Sequence, residues 1–101
     1  MSSTTYTMNL RPTGYEALSV TSAAAVGFTA AKLTPAVMGV FCTVETATVR
    51  FRMDGEDPTT SEGHELESGQ TLTIYNRTAL PNIKFIAEST TAPVRVTYLS
   101  E

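Results

Sequence analysis

Between positions 46 and 54 the chain reads Thr-Ala-Thr-Val-Arg-Phe-Arg-Met-Asp, an alternation of polar and apolar side chains with a period of two. Successive side chains of a pleated strand point to opposite faces, so Ala47, Val49, Phe51 and Met53 share one face and Thr48, Arg50, Arg52 and Asp54 the other. Wound as a helix, the same residues would scatter the two arginines around the cylinder. The period recurs at residues 71–75 (Thr-Leu-Thr-Ile-Tyr) and 93–99 (Pro-Val-Arg-Val-Thr-Tyr-Leu), and all three segments are predicted strands. Threonine usage agrees: eighteen threonines stand against eight serines, and a β-branched polar side chain suits a half-exposed strand better than a helix.

Residues 37–45 and 83–88 carry apolar side chains at both parities, which predicts strands touched by protein on both faces. Residues 16–21 and 26–33 are also expected as strands, although the alanines at 23–25 and 30–31 favour helix. Turn signals separate these runs at Pro12-Thr13-Gly14, Thr34-Pro35, Asp54-Gly55, Asp57-Pro58, Glu67-Ser68-Gly69-Gln70, Leu80-Pro81-Asn82 and Ala92-Pro93. No helix of ten residues fits between them. Six to eight short antiparallel strands predict an all-β fold, a compact β-sandwich or jelly-roll-like small barrel, with jelly-roll and immunoglobulin-like strand orders both open.

A chain of 101 residues holds one domain, expected at residues 13–101 behind a flexible N-terminal arm at residues 1–12. A domain this small buries only somewhat over roughly 60% of its unfolded surface, so assembly into a homo-oligomer is expected to add stability. Val26, Phe28, Val37, Phe41 and Ile86 are candidates for burial at such a boundary. Seven basic against ten acidic residues leave a net charge of −3, which argues against electrostatic binding to nucleic acid. The apolar run at residues 23–31 is broken by Gly27 and Thr29 and is far too short to span a bilayer, and no basic start leads into an apolar stretch, so no membrane partner or export is expected. The single cysteine, Cys42, lies among Val40, Phe41, Thr43 and Val44 and is expected to be a buried small hydrophobe.

Chemistry, if present, would concentrate in residues 54–67, which hold six carboxylates and the only histidine, His64. The spacing matches no helical calcium loop, no second histidine or cysteine stands near His64 to complete a zinc site, and no Gly-x-Ser-x-Gly elbow presents a nucleophile. Gly39, Gly55, Gly63 and Gly69 are isolated, so no phosphate-cradling loop is present. The stretch is therefore expected as a solvated connection, and no catalytic, cofactor-binding or metal-binding residue, and no cofactor, is predicted. Arg50 and Arg52 share a strand face, with cross-strand glutamates or a docking partner as their expected contacts and Arg95 or Lys84 as neighbours. Tyr6, Tyr15, Tyr75 and Tyr98 lie on or beside strands and can form a sugar-binding stripe, although without tryptophan.

The run Val49-Arg50-Phe51-Arg52-Met53-Asp54-Gly55-Glu56-Asp57-Pro58-Thr59, then Gly63-His64-Glu65-Leu66 and Gly69-Gln70-Thr71-Leu72, resembles small β-rich virion proteins of tailed bacteriophages. An Ile83-Lys84-Phe85-Ile86 strand and a closing Val94-Arg95-Val96-Thr97-Tyr98 strand extend the likeness over residues 37–99. These motifs are structural punctuation and not catalytic signatures. The resemblance implies a non-enzymatic virion structural protein assembled in the host cytoplasm, above all a head decoration, or cement, protein bound to the major capsid protein or another virion protein. A trimer is implied in the same way, since cement proteins often sit at local threefold axes. Tail, collar and adaptor components are the alternative within that class, and a carbohydrate-binding adhesion module the alternative outside it. For a decoration protein, the alternating Thr5, Tyr6, Thr7, Met8, Asn9 and Leu10 can add as a strand to a neighbour's sheet edge. The candidate partner contacts are thus Thr5, Tyr6, Met8, Leu10, Arg50 and Arg52.

Overall fold

The computed structural model describes residues 10–101, in which the chain forms eight strands: β1 (Arg11–Val20), β2 (Val26–Gly27), β3 (Val37–Val44), β4 (Val49–Arg52), β5 (His64–Leu66), β6 (Thr71–Ile74), β7 (Lys84–Ala87) and β8 (Ala92–Ser100). They pair as one long hairpin with its tip at β4 and β5: β4 with β5, β3 with β6, β2 with β7 and β1 with β8, all antiparallel. The hairpin then wraps over itself, so that β8 also pairs with β3 and β7 with β4. Two four-stranded sheets result, sheet A in the order β1-β8-β3-β6 and sheet B in the order β2-β7-β4-β5. This is the jelly-roll order of interlocked Greek keys, which separates the two sandwich topologies that the turn pattern left open.

Alternation decides which side chains fill the space between the sheets. Val94, Val96 and Tyr98 of β8 point inward with Val40, Cys42 and Val44 of β3, and meet Val49 and Phe51 of β4 and Phe85 and Ala87 of β7. Phe28, in the connection after β2, packs edge-on against Phe85 at 5.7 Å and Tyr98 at 6.0 Å between ring centroids, tying the two layers together. The expected strands at 71–75 and 93–99 are present, with Leu72 and Ile74 packed on the core and Thr71 and Thr73 exposed. In β3 the apolar residues at both parities have a local cause: the register shifts between Val37 and Gly39, so Val37 and Val40 both face inward.

Several expected boundaries move. The strand expected over residues 26–33 is only Val26–Gly27, and the alanines instead form a 3₁₀ turn at Ala30–Lys32 once Phe28 has turned into the core. The strand expected over residues 16–21 is longer and starts at Arg11, with a bulge between Pro12 and Gly14. The alternation over 46–54 forms a strand only at Val49–Arg52, and Met53 is 45% exposed, outside the core face, because the chain leaves the sheet at the Asp54-Gly55 turn. Within the acidic stretch expected as a connection, His64–Leu66 is itself the strand β5. Among the described residues no helix is long and apolar enough to cross a membrane.

Candidate docking face

The outer face of sheet A is organised by register. Tyr15, Thr97, Phe41 and Thr73 form one row across all four strands, and Ala17, Arg95, Thr43 and Thr71 form the next. These side chains point away from the core because their strand neighbours Val96, Tyr98, Val40 and Cys42 point into it. Tyr15 is 52% exposed and Phe41 42%, and Tyr75, just beyond the end of β6, is 63% exposed. Large apolar surface thus concentrates on one face, with threonine hydroxyls between the rings.

Two of the rings are held in place. Tyr75 lies over Gly39, where an added Cβ would stand 2.9 Å from ring atom Cδ1 and 2.6 Å from the Ile74 carbonyl oxygen, so only glycine leaves room for that approach. The Tyr15 hydroxyl accepts a hydrogen bond of 2.9 Å from Arg95 Nη1, while Arg95 Nε donates to Glu45 at 2.9 Å. Arg95 is the charged side chain of these two rows, and Glu45 neutralises it.

The outer face of sheet B is built from ion pairs. Arg50 donates through Nε to Glu88 at 2.8 Å, through Nη1 to the Gly63 carbonyl at 3.0 Å and through Nη2 to Glu65 at 3.4 Å. It thereby ties β4 to β5 and to the segment after β7. The expected cross-strand glutamate is Glu65, which stands opposite Arg50 in the register. A hydrogen bond with Glu88, and the negative charge there, push the Glu65 carboxyl above its ordinary range. Arg52 pairs with Asp54, and Lys84, opposite Arg52 in the ladder, pairs with Asp57 at 3.0 Å. Of the two neighbours expected for Arg50 and Arg52, Lys84 is the one found, and Arg95 stands on the other sheet. Ile86, opposite Arg50, is buried at the centre of this charged face.

Beside this face a cleft of about 570 Å³ is lined by Arg52, Met53, Asp54, Glu62, Gly63 and His64. The His64 ring stands 5.3 Å from that of Phe51, its cross-strand neighbour. Among the described residues no group of three histidine, cysteine, aspartate or glutamate side chains is placed to hold a metal ion. Cys42 is buried, and loss of solvent pushes its thiol up to about 12.

Of the partner contacts expected from the sequence, Arg50 and Arg52 lie on the outer face of sheet B, engaged within the molecule. Leu10 is half-buried immediately before β1, while Thr5, Tyr6 and Met8 lie outside the described residues. Arg11 and Pro12, expected in the arm, belong to β1 and pair with Ser100 and Leu99. Of the tyrosines, Tyr15 and Tyr75 reach the outer face of sheet A, Tyr98 is buried between the sheets and Tyr6 lies outside the described residues. Of the apolar residues considered for a subunit boundary, Phe28, Val37 and Ile86 are buried within one chain, Val26 is partly buried against the same core and Phe41 remains exposed. The row that joins Tyr15 to Phe41 carries no local signal, because it depends on pairings between segments far apart in the chain. No family model, curated protein or solved structure matches the chain.

Proposed function

We propose that this chain is a non-enzymatic structural protein of a tailed-bacteriophage virion, a decoration protein that docks on the outside of the head and stabilises the shell. The observation that carries the reading is the contrast between the two outer faces: sheet A presents Tyr15, Phe41 and Tyr75 among threonines, while sheet B is covered by internally satisfied ion pairs. Exposed aromatics on a nearly uncharged face are suited to burial against another protein, and the rings of Tyr15 and Tyr75 are already held by Arg95 and over Gly39, so little freedom is lost on docking. The jelly roll is also an architecture that viral capsid domains use repeatedly, a fold-level analogy that supports the likeness in the sequence. Purified protein added to heads lacking their decoration tests it. Saturable binding, many copies per head in an image reconstruction and sheet A against the shell are the expected results. Binding confined to a tail or connector ring would move the protein to another station, and no binding to any virion part would overturn the reading. A variant beginning at Arg11 tests the arm: unchanged affinity would exclude residues 1–10 from the interface.

The same aromatics favour a second reading, a carbohydrate-binding adhesion module, since exposed rings on a hydroxyl-rich face can stack on sugars. Glycan-array binding lost on replacing Tyr15 or Tyr75 by serine would select it over the first.

A further inference from the structure

Among the described residues, each sheet ends in two strands that leave one side of their backbone unpaired, and the four edges differ. β2 is two residues long, and β5 is three and carries Glu65. β1 contains Pro12 and a bulge, and its Glu16 side chain turns inward to Tyr98 and Thr29. Shortness, charge, proline and bulges are the devices that keep sheet edges from pairing with other chains. β6 reads Thr-Leu-Thr-Ile, with no charge, no proline and no bulge.

The ladder shows which of its backbone groups face away from β3. The Val44 amide donates to the Gln70 carbonyl at 3.1 Å and the Gly69 amide donates to the Val44 carbonyl at 2.8 Å. By antiparallel alternation Leu72 and Ile74 turn their amide and carbonyl groups toward β3, and Thr71 and Thr73 turn theirs outward. The flanks are charged in opposite senses. Glu67 precedes the strand and Arg77 follows it, both are exposed, and neither is in an ion pair among the described residues.

We propose that β6 pairs antiparallel with β6 of a second copy of this chain. A twofold axis through Leu72 sets Thr71 of each copy opposite Thr73 of the other, so that each threonine exchanges both backbone groups with its counterpart. The same axis brings the Glu67 end of one copy to the Arg77 end of the other, twice, whereas parallel apposition would set like charges together. Cross-strand threonine pairs are favourable on the outer face, and the row of Tyr15, Thr97, Phe41 and Thr73 then continues across the boundary into an eight-stranded sheet. This contact closes at a dimer, in contrast to the trimer that the phage resemblance implies, and it is independent of the virion reading.

Sedimentation equilibrium of the full chain, from micromolar to about 1 mM, tests it. The expected mass rises with concentration from 10.8 kDa toward twice that value. Thr73→Pro removes an outward amide without touching the β3 ladder and is expected to weaken the dimer at least tenfold, with the strand signal in circular dichroism retained. Glu67→Arg is expected to weaken it by a similar factor, and adding Arg77→Glu to restore it. If Thr73→Pro fails to fold, the charge swap, made at exposed positions, decides alone. A chain monomeric up to about 1 mM, a trimer, or a dimer indifferent to these substitutions would overturn the proposal.

Discussion

Tyr98, buried in β8, donates its hydroxyl hydrogen to the carboxylate of Glu16 on the neighbouring strand β1. That carboxylate also accepts from the Thr29 amide at 3.1 Å and the Thr29 hydroxyl at 2.5 Å, so it fastens the connection after β2 to sheet A. Burial opposes ionisation of Glu16, but the Thr29 and Tyr98 hydroxyls, the Thr29 amide and nearby Lys32 outweigh it and hold the carboxyl below its ordinary range. Burial, and then Glu16, push the Tyr98 phenol up, so it remains a donor. Tyr98→Phe is expected to cost about 1.5–3 kcal/mol in urea unfolding, the range for a hydrogen bond to a charged group.

A pH dependence follows with a definite sign. Because the folded value of Glu16 lies below its usual 4.5, its contribution is fully present above about 4.5 and is lost as pH falls through the lower folded value. Wild-type stability is expected to fall across that acidic window more steeply than that of Glu16→Gln. Parallel curves from urea titrations at several pH values would count against the assignment.

Gly39 is a packing position. In Gly39→Ala the new methyl would press on the Ile74 carbonyl and the Tyr75 ring, and the backbone carbonyl cannot swing aside as a side chain can. A loss of about 1–3 kcal/mol is expected, the range for overpacking. Chemical shifts of Tyr75 in the variant would report the displaced ring.

Arg50 is a clamp on β5. Lysine retains the charge but cannot reach Glu88, Glu65 and the Gly63 carbonyl with one planar fork. Arg50→Lys is expected to destabilise by about 1 kcal/mol. The amides of His64, Glu65 and Leu66 should exchange faster in the variant while those of β8 stay protected.

Cys42 should be inert in the native state. With its thiol at about 12, a disulfide reagent at about pH 8 is expected to label it only as fast as the protein opens, and at once in denaturant. Fast labelling of the folded chain would contradict the burial.

The strands at 71–75 and 93–99 were legible because each has one face in the core, and a one-sided strand writes its period into the sequence. β8 is the clearest case, with Val94, Val96 and Tyr98 inward and Arg95 outward. β2 was not, since a two-residue pairing has no period and its alanine-rich surroundings favour a helical turn. The bulges at Thr13 and Met38 were also hidden, because a one-residue offset is set by the partner strand. For the docking face, its tyrosines and Phe41 could be named singly. Their convergence could not, because the register that joins β1 to β3 runs through β8.

That position of β8 also constrains how the molecule forms. It pairs with β1 on one side and β3 on the other, and both are synthesised long before it. Sheet A therefore waits with a gap at its centre while more than forty residues emerge, and the loops that close it are long, which slows the search. During that interval the flanks of β1 and β3 are open to the wrong strand, so the outer surface of sheet A is complete only after the last-made ribbon has slotted into place.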